Sequence, residues 1–173
     1  MLAADVYQPE QWHDFFLMVG GAAAALAGLV FVAMSLNLDV VMRDATHRYR
    51  AIGTLTNFIG IFALCSLALM GGQNHEAVGV EWLVASTVAG AVYVYGYLRA
   101  RTAGGSQSTL SLLRTVSGTG LYLAQIVGAI LLLLGESAGL YIAAVAMVIL
   151  TGYSVSGAWL LLVGVHHDEH SRG

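Results

Sequence analysis

Charged residues are scarce in this sequence, and nearly all of them lie outside its long apolar segments. Only 10% of the 173 residues are Asp, Glu, Lys or Arg, whereas 58% are hydrophobic. The mean hydropathy is +0.76. A chain of this composition has too little polar surface to cover a soluble globule, so it is predicted to be a membrane protein.

Proline, cysteine and intramembrane charge are also almost missing. Pro9 is the only proline, so helices broken by proline at midmembrane, as in many transporters, are not expected. Cys65 is the only cysteine, which rules out an intrachain disulfide. Without an ionised group or a histidine pair deep in an apolar segment, a proton relay or a haem site is not expected. These absences argue against active transport, and we expect no cofactor.

Five apolar segments have the length of a membrane span. The first, 15–38, contains 24 residues without Asp, Glu, Lys, Arg or His. As a helix rising about 1.5 Å per residue it can cross a hydrocarbon core of about 30 Å. We predict an all-α integral membrane protein, with residues 1–173 forming a single membrane domain. Its five transmembrane helices are predicted at about 15–38, 51–71, 78–98, 115–134 and 138–165.

The arginines alternate between the connections of these spans. In chain order the connections carry zero, three, zero, three, zero and one Arg. The positive-inside rule keeps Arg on the cytoplasmic side, which predicts the N-terminus outside and the C-terminus inside the cytoplasmic membrane, as in a bacterial inner membrane. Aromatic residues agree with this topology: Trp12, Trp82 and Tyr141 are predicted at outer span ends, and Tyr97 and Trp159 at inner ones.

Small residues recur at helical spacing within the spans. Such positions let helix backbones approach closely, which favours either an oligomer interface or ordinary packing inside one bundle. The candidate seam residues are Gly20, Ala24 and Gly28 in the first span, Ser86 and Gly90 in the third, and Gly120, Ala124 and Gly128 in the fourth.

Two side-chain amides, Asn57 and Gln125, fall within predicted spans. An unpaired amide in lipid is costly, so each is expected to find a partner. They could line a pore or small-ligand pocket, or join helices by hydrogen bonds. The residues that could share this polar interior are Tyr122, Ser117, Thr151 and Ser154.

Polar residues outside the spans offer two weaker hypotheses. Six acids lie in Arg-free connections and could concentrate cations at an outer mouth, although the positive-inside rule tolerates acids there anyway. They are Asp5, Glu10, Asp14, Glu76, Glu81 and Glu136. In the tail, His166 and His170 would share a helix face and could hold a metal, but a solvated tail is the simpler interpretation and we assign no metal site.

Function is therefore left to three hypotheses. The first is a non-catalytic membrane protein that acts by helix association, with lipid around it and either itself or other membrane subunits as partners. The second is an oligomeric channel for cations or small neutral solutes, lined by Asn57 and Gln125. The third, an enzyme acting on a lipid or quinone, has the least support because no acid, base or nucleophile lies at a suitable depth. No basic patch suits nucleic acid.

Overall fold

The fold is taken from a computed structural model of the chain. It describes the backbone of residues 7–36, 38, 45–102 and 109–170, and the side chains of 7–8, 10–36, 38, 48–49, 51–99, 102 and 115–159. Asp5 and the side chains of His166 and His170 lie outside this range, so the structure does not address their predicted roles.

Five helices make up the described part of the chain, which contains no strand. Each contains a segment of 18 to 27 residues that is long and apolar enough to cross a membrane. The prediction of an all-α chain with five membrane-length helices is thereby confirmed for the described residues, and it suggests a multi-pass membrane protein. The helices are α1 (Pro9–Leu36), α2 (Ala45–Ala68), α3 (His75–Thr102), α4 (Thr109–Leu133) and α5 (Ala138–His170).

Successive helices run in opposite directions and pack side by side. Contacts pair the end of one helix with the start of the next, as where Gly79 near the start of α3 meets Leu133 at the end of α4. Helices α2, α3, α4 and α5 close into a four-helix ring because α2 also packs against α5. Helix α1 lies outside this ring, against α2 and to a lesser extent α5.

This alternation sorts the described charges to two ends of the bundle. The start of α2 and the end of α3 carry Arg48 and Arg99, and we call this side the arginine end. The opposite side, the acidic end, carries Glu10, Glu76 and Glu136.

Glycine turns fix two of the helix ends. Gly135 has a φ of +79°, and the chain there forms a Schellman motif in which Glu136 N donates to Leu131 O at 2.9 Å and Gly135 N to Leu132 O at 3.0 Å. Gly72 has the same φ in the turn after α2. That helix ends at Ala68, three residues before the predicted boundary at 71, because the chain has already entered this turn.

At the acidic end, side chains form hydrogen bonds with main-chain atoms at the helix ends. The Tyr7 hydroxyl donates to the carbonyl of Ala68, one of the last α2 carbonyls and therefore without an intrahelical donor. Burial raises the pKa of Tyr7 to about 12, so this hydroxyl stays protonated to a higher pH than an ordinary tyrosine does. Asn74 caps α3, its Oδ1 accepting from Ala77 N at 2.9 Å.

Aromatic residues at this end contact one another in one cluster, in which Tyr141 is exposed and Trp82 is buried. Trp82, which the sequence assigned to the outer interface, is 1% exposed and donates from Nε1 to Leu64 O at 3.0 Å. Phe16 meets it edge to face at 5.6 Å, and Trp12 contacts both Phe16 and Tyr141. Trp82 is therefore a core residue, because its indole N–H finds an acceptor inside the bundle.

Candidate functional site

The polar interior of the four-helix ring is the strongest candidate site. Besides buried tyrosines, Trp82 and Cys65, five buried residues with amide or hydroxyl side chains are found among the described positions, and none of these five is ionisable. They come from all four helices of the ring: Thr54 and Asn57 from α2, Ser86 from α3, Gln125 from α4 and Ser154 from α5. The ring is therefore joined internally by neutral hydrogen-bonding groups.

Asn57 is the centre of the best-defined part of this interior. Its Oδ1 accepts a hydrogen bond from the Tyr122 hydroxyl at 2.6 Å. Its Nδ2 donates to Ser154 Oγ at 3.0 Å. Both partners are at most 3% exposed, so one amide joins α2, α4 and α5 away from lipid. This network fits the interpretation of Asn57 as a hydrogen bond donor and acceptor between helices.

Gln125 occupies a different environment in the same ring. It is 1% exposed, and its Oε1 has only a long contact, 3.5 Å, with Ser86 Oγ. Among the described residues, no atom accepts a hydrogen bond from its Nε2, which is fully buried. An unpaired buried amide N–H is destabilising, so this atom stands out from the satisfied groups around Asn57.

Two other residues predicted to belong to the polar interior do not join it. Thr151 is half-buried, and its Oγ1 donates to Met147 O of its own helix at 2.8 Å. Ser117 is exposed. Ser117 therefore faces outward from α4, whereas Thr151 lies on the side of α5 near Ser154 but bonds within its own helix.

A pair of tyrosines extends the polar interior toward the arginine end. The hydroxyls of Tyr93 and Tyr153 lie 3.0 Å apart, and the Tyr93 ring contacts that of Tyr122. Gly118 makes room for this arrangement, since a Cβ there would lie 2.6 Å from Tyr93 Cζ. Sequence reasoning missed Tyr93, Tyr153 and Gly118. The sequence did contain a sign of Tyr93. It lies on the same face of α3 as Ser86, although the four-residue spacing seen elsewhere in the chain would point to the next position, 94.

On the acidic side of Gln125 the ring interior is apolar. Its fully buried side chains, at most 3% exposed, are Ile61, Leu64, Val78, Trp82, Ala129, Leu132, Leu140, Ala143 and Met147. We call this the apolar half of the interior, and the region from Gln125 to Tyr153 the polar half. The interior therefore changes from apolar to polar near the middle of the helices.

The predicted seam residues divide between inward and outward faces. Several make close contacts inside the bundle: a Cβ at Gly20 would lie 2.9 Å from Cys65 Cβ, one at Gly90 3.3 Å from Tyr122 Cβ, and one at Gly128 3.2 Å from Ala143 Cβ. Ser86 is buried beside Gln125.

The remaining seam residues face outward. Ala24 and Gly28 are exposed on α1, as is Gly120 on α4, and Ala124 is half-buried. No atom lies within 4 Å of a Cβ placed at Gly28 or Gly120. Small residues at four-residue spacing therefore lie on both inward and outward helix faces, and the sequence alone could not tell one from the other.

The acids with described side chains are all at the acidic end of the bundle, but they do not form a compact group. Glu10, Asp14, Glu76 and Glu136 are exposed. Glu81 is half-buried and accepts from Gln73 Nε2 at 2.8 Å. Within the described ranges no three His, Cys, Asp or Glu side chains come together as a metal-binding group.

Comparison with protein families, with characterised proteins and with solved structures finds no match for this chain.

Proposed function

We propose that this is a non-catalytic membrane protein that works by helix association, through the outward face of α1. The supporting observation is that this face consists of small, exposed residues. Gly21, Ala24, Ala25 and Gly28 are all exposed, and they lie on the side of α1 opposite Ala23, which is fully buried. Outside the neighbouring turns of α1 itself, no described atom lies within 4 Å of a Cβ built at Gly21 or Gly28.

Lipid contact alone does not account for this face. Helix α3 presents Val80, Val84, Val88 and Val92 outward at the same four-residue spacing, each at least 42% exposed. Lipid acyl chains are about as apolar as these side chains, so they do not select small residues, whereas a second helix backbone does. The small face of α1 therefore favours another transmembrane helix as its neighbour.

The partner is either a second copy of this chain or a subunit of a larger membrane assembly. Crosslinking in native membranes separates the two. With Ala24→Cys in a Cys65→Ala background, a disulfide-linked dimer should form if two copies meet there. If another subunit does, a photoactivatable crosslinker attached to the same cysteine should give an adduct whose mass differs from that of the dimer. The matched control is Val84→Cys, on the outward face of α3.

Bulk on the α1 face should weaken the assembly. If the wild type forms a complex on native gels, as proposed, we expect Gly28→Leu to dissociate it and Val84→Leu to leave it intact, because only the former would separate two close backbones. A strictly monomeric protein with no copurifying partner would refute the proposal.

We further infer that the arginine end faces the cytoplasm, which puts the N-terminus outside the cytoplasmic membrane. The positive-inside rule supports this orientation, because Arg48 and Arg99 lie at the same end of the bundle. Cysteines at Thr102 and Ser137, both exposed, test it. An impermeant thiol reagent applied to intact cells should label Ser137→Cys and spare Thr102→Cys, and the opposite pattern would reverse the topology.

The channel hypothesis has less support. Asn57 and Gln125 face other helices of their own ring, and both are 1% exposed in a single chain. An axis between several chains would therefore be lined by other residues.

A further inference from the structure

Gln125 carries a hydrogen-bonding requirement that the described residues do not meet. The amide is 1% exposed, and no described residue accepts from Nε2. Exchanging the two amide atoms would bring Nε2 to Ser86 Oγ and leave Oε1 without a donor instead. In either orientation one polar atom of the amide lacks a partner among the residues that the structure describes.

The surroundings of Gln125 differ on its two sides. Tyr122 is on the same face of α4, one turn closer to the arginine end at a rise of about 4.5 Å, and the network with Asn57 and Ser154 begins there. Ala129 and Leu132, toward the acidic end, are both 0% exposed and apolar. Gln125 thus lies at the closed end of a polar region that continues only toward the arginine end.

A hydroxyl group satisfies this amide in either orientation, because it can both donate and accept. Ions are less suitable, since no described buried side chain is charged. We propose that Gln125 binds the hydroxyl of a small neutral ligand, with water as the smallest, and that the ligand enters through the polar half from the arginine end. The proposal is independent of the association surface on α1.

Thiol labelling tests the route. Ser86→Cys and Ser154→Cys are conservative probes in the polar half, and Ala129→Cys and Ala143→Cys are equally buried controls in the apolar half. All four are made in a Cys65→Ala background. Wild-type Cys65, 1% exposed, is a further control. Thiol reagents attack the thiolate, which forms only where water reaches the sulfur.

The two serine positions should react at least about tenfold faster with a small methanethiosulfonate than the controls, because opening of the polar half admits water. Labelling should be faster when vesicles expose the arginine end than when they expose the acidic end. Equal rates at all buried positions, or faster entry from the acidic end, would overturn the proposal.

Glycerol distinguishes the two ligand sources. If a small polyol occupies the site, added glycerol should slow labelling of Ser86→Cys but not of Ser154→Cys. If water is the ligand, both rates should be unchanged by glycerol while staying above those of the controls.

Stability measurements test the proposed hydrogen bond between the Gln125 amide and the ligand hydroxyl. A Ser86→Ala background removes the one hydrogen-bonding contact that the described residues make with the amide. In this background Gln125→Met should lower the unfolding midpoint in detergent, because the bound hydroxyl is lost. If the amide had no ligand, the nearly isosteric apolar side chain should raise that midpoint instead, and this result would refute the proposal.

Discussion

The polar and apolar halves of the ring interior show two ways to hold the same four helices together. In the polar half, Asn57 joins three helices through hydrogen bonds of 2.6 and 3.0 Å. In the apolar half, Gly128 and Gly139 bring the backbones of α4 and α5 together, and the surrounding side chains are fully buried. Packing needs close backbones, whereas hydrogen bonding needs a few groups at defined positions. The variants below test this difference.

The largest effect is expected from Gly139→Ala in the apolar half. A Cβ at this position would lie 2.7 Å from Leu132 N, and the α4 backbone cannot move aside as a flexible side chain could. We expect the free energy of unfolding to fall by about 1–3 kcal/mol, measured by titration with denaturing detergent.

Gly152→Ala is the matched control for Gly139→Ala. It lies on the same helix, is exposed, and has nothing within 4 Å of its added Cβ. Alanine there should keep or raise stability because its helix propensity exceeds that of glycine. Equal tolerance at the two positions would show that α4 and α5 do not approach as described.

An intermediate effect is expected from Asn57→Leu in the polar half. The substitution removes the acceptor of the Tyr122 hydroxyl and the donor to Ser154 Oγ. Interhelical hydrogen bonds in membranes are individually modest, so the expected cost is about 1–2 kcal/mol.

A double-mutant cycle with Tyr122→Phe isolates the Asn57 bond. The combined variant should lose less stability than the sum of the two single variants, because both remove the same interaction. Strict additivity would show that the two side chains do not interact, and the polar half would then lose its best-defined contact.

The smallest effect is expected from Tyr7→Phe at the acidic end, above the apolar half. Loss of the bond to Ala68 O should cost about 0.5–1.5 kcal/mol. The pKa of Tyr7 is raised from 10.0 to about 12, so folding favours the protonated hydroxyl. Its contribution should be complete below pH 10 and should decline as the pH rises through 12.

The pH dependence of unfolding checks this contribution. The stability gap between wild type and Tyr7→Phe should narrow from pH 10 upward. Tyr141→Phe, which alters an exposed tyrosine, should show no such gap. A gap that is absent, or constant across this range, would contradict the assignment of Tyr7 as the donor to α2.

Much of the fold follows from local sequence properties. Five uncharged or weakly charged apolar segments predict five helices, and the glycine after α4 marks its end at the predicted loop. Boundaries are less certain where polar residues continue a helix, as in α1, which begins at Pro9 instead of residue 15. Proline is favourable in the first turn of a helix, where its missing N–H leaves no bond unmade.

The site was predictable only in part. Asn57, Gln125, Tyr122 and Ser154 were expected in a polar interior because amides and hydroxyls in lipid require partners, and they are buried there. Pairing could not be deduced, since it depends on which helices are neighbours. Thr151 has the same residue type as other interior candidates, yet bonds to its own helix.

The sequence by itself determined that this chain has five membrane-length helices and where its arginines and acids lie, because helix formation and hydropathy are properties of short segments. Only the tertiary structure decided which glycines face a neighbour inside the bundle, that Trp82 is buried, and that Gln125 lies at the end of a polar half with an unpaired amide atom. A spacing of four residues gives a helix face, but the direction of that face is set by long-range packing.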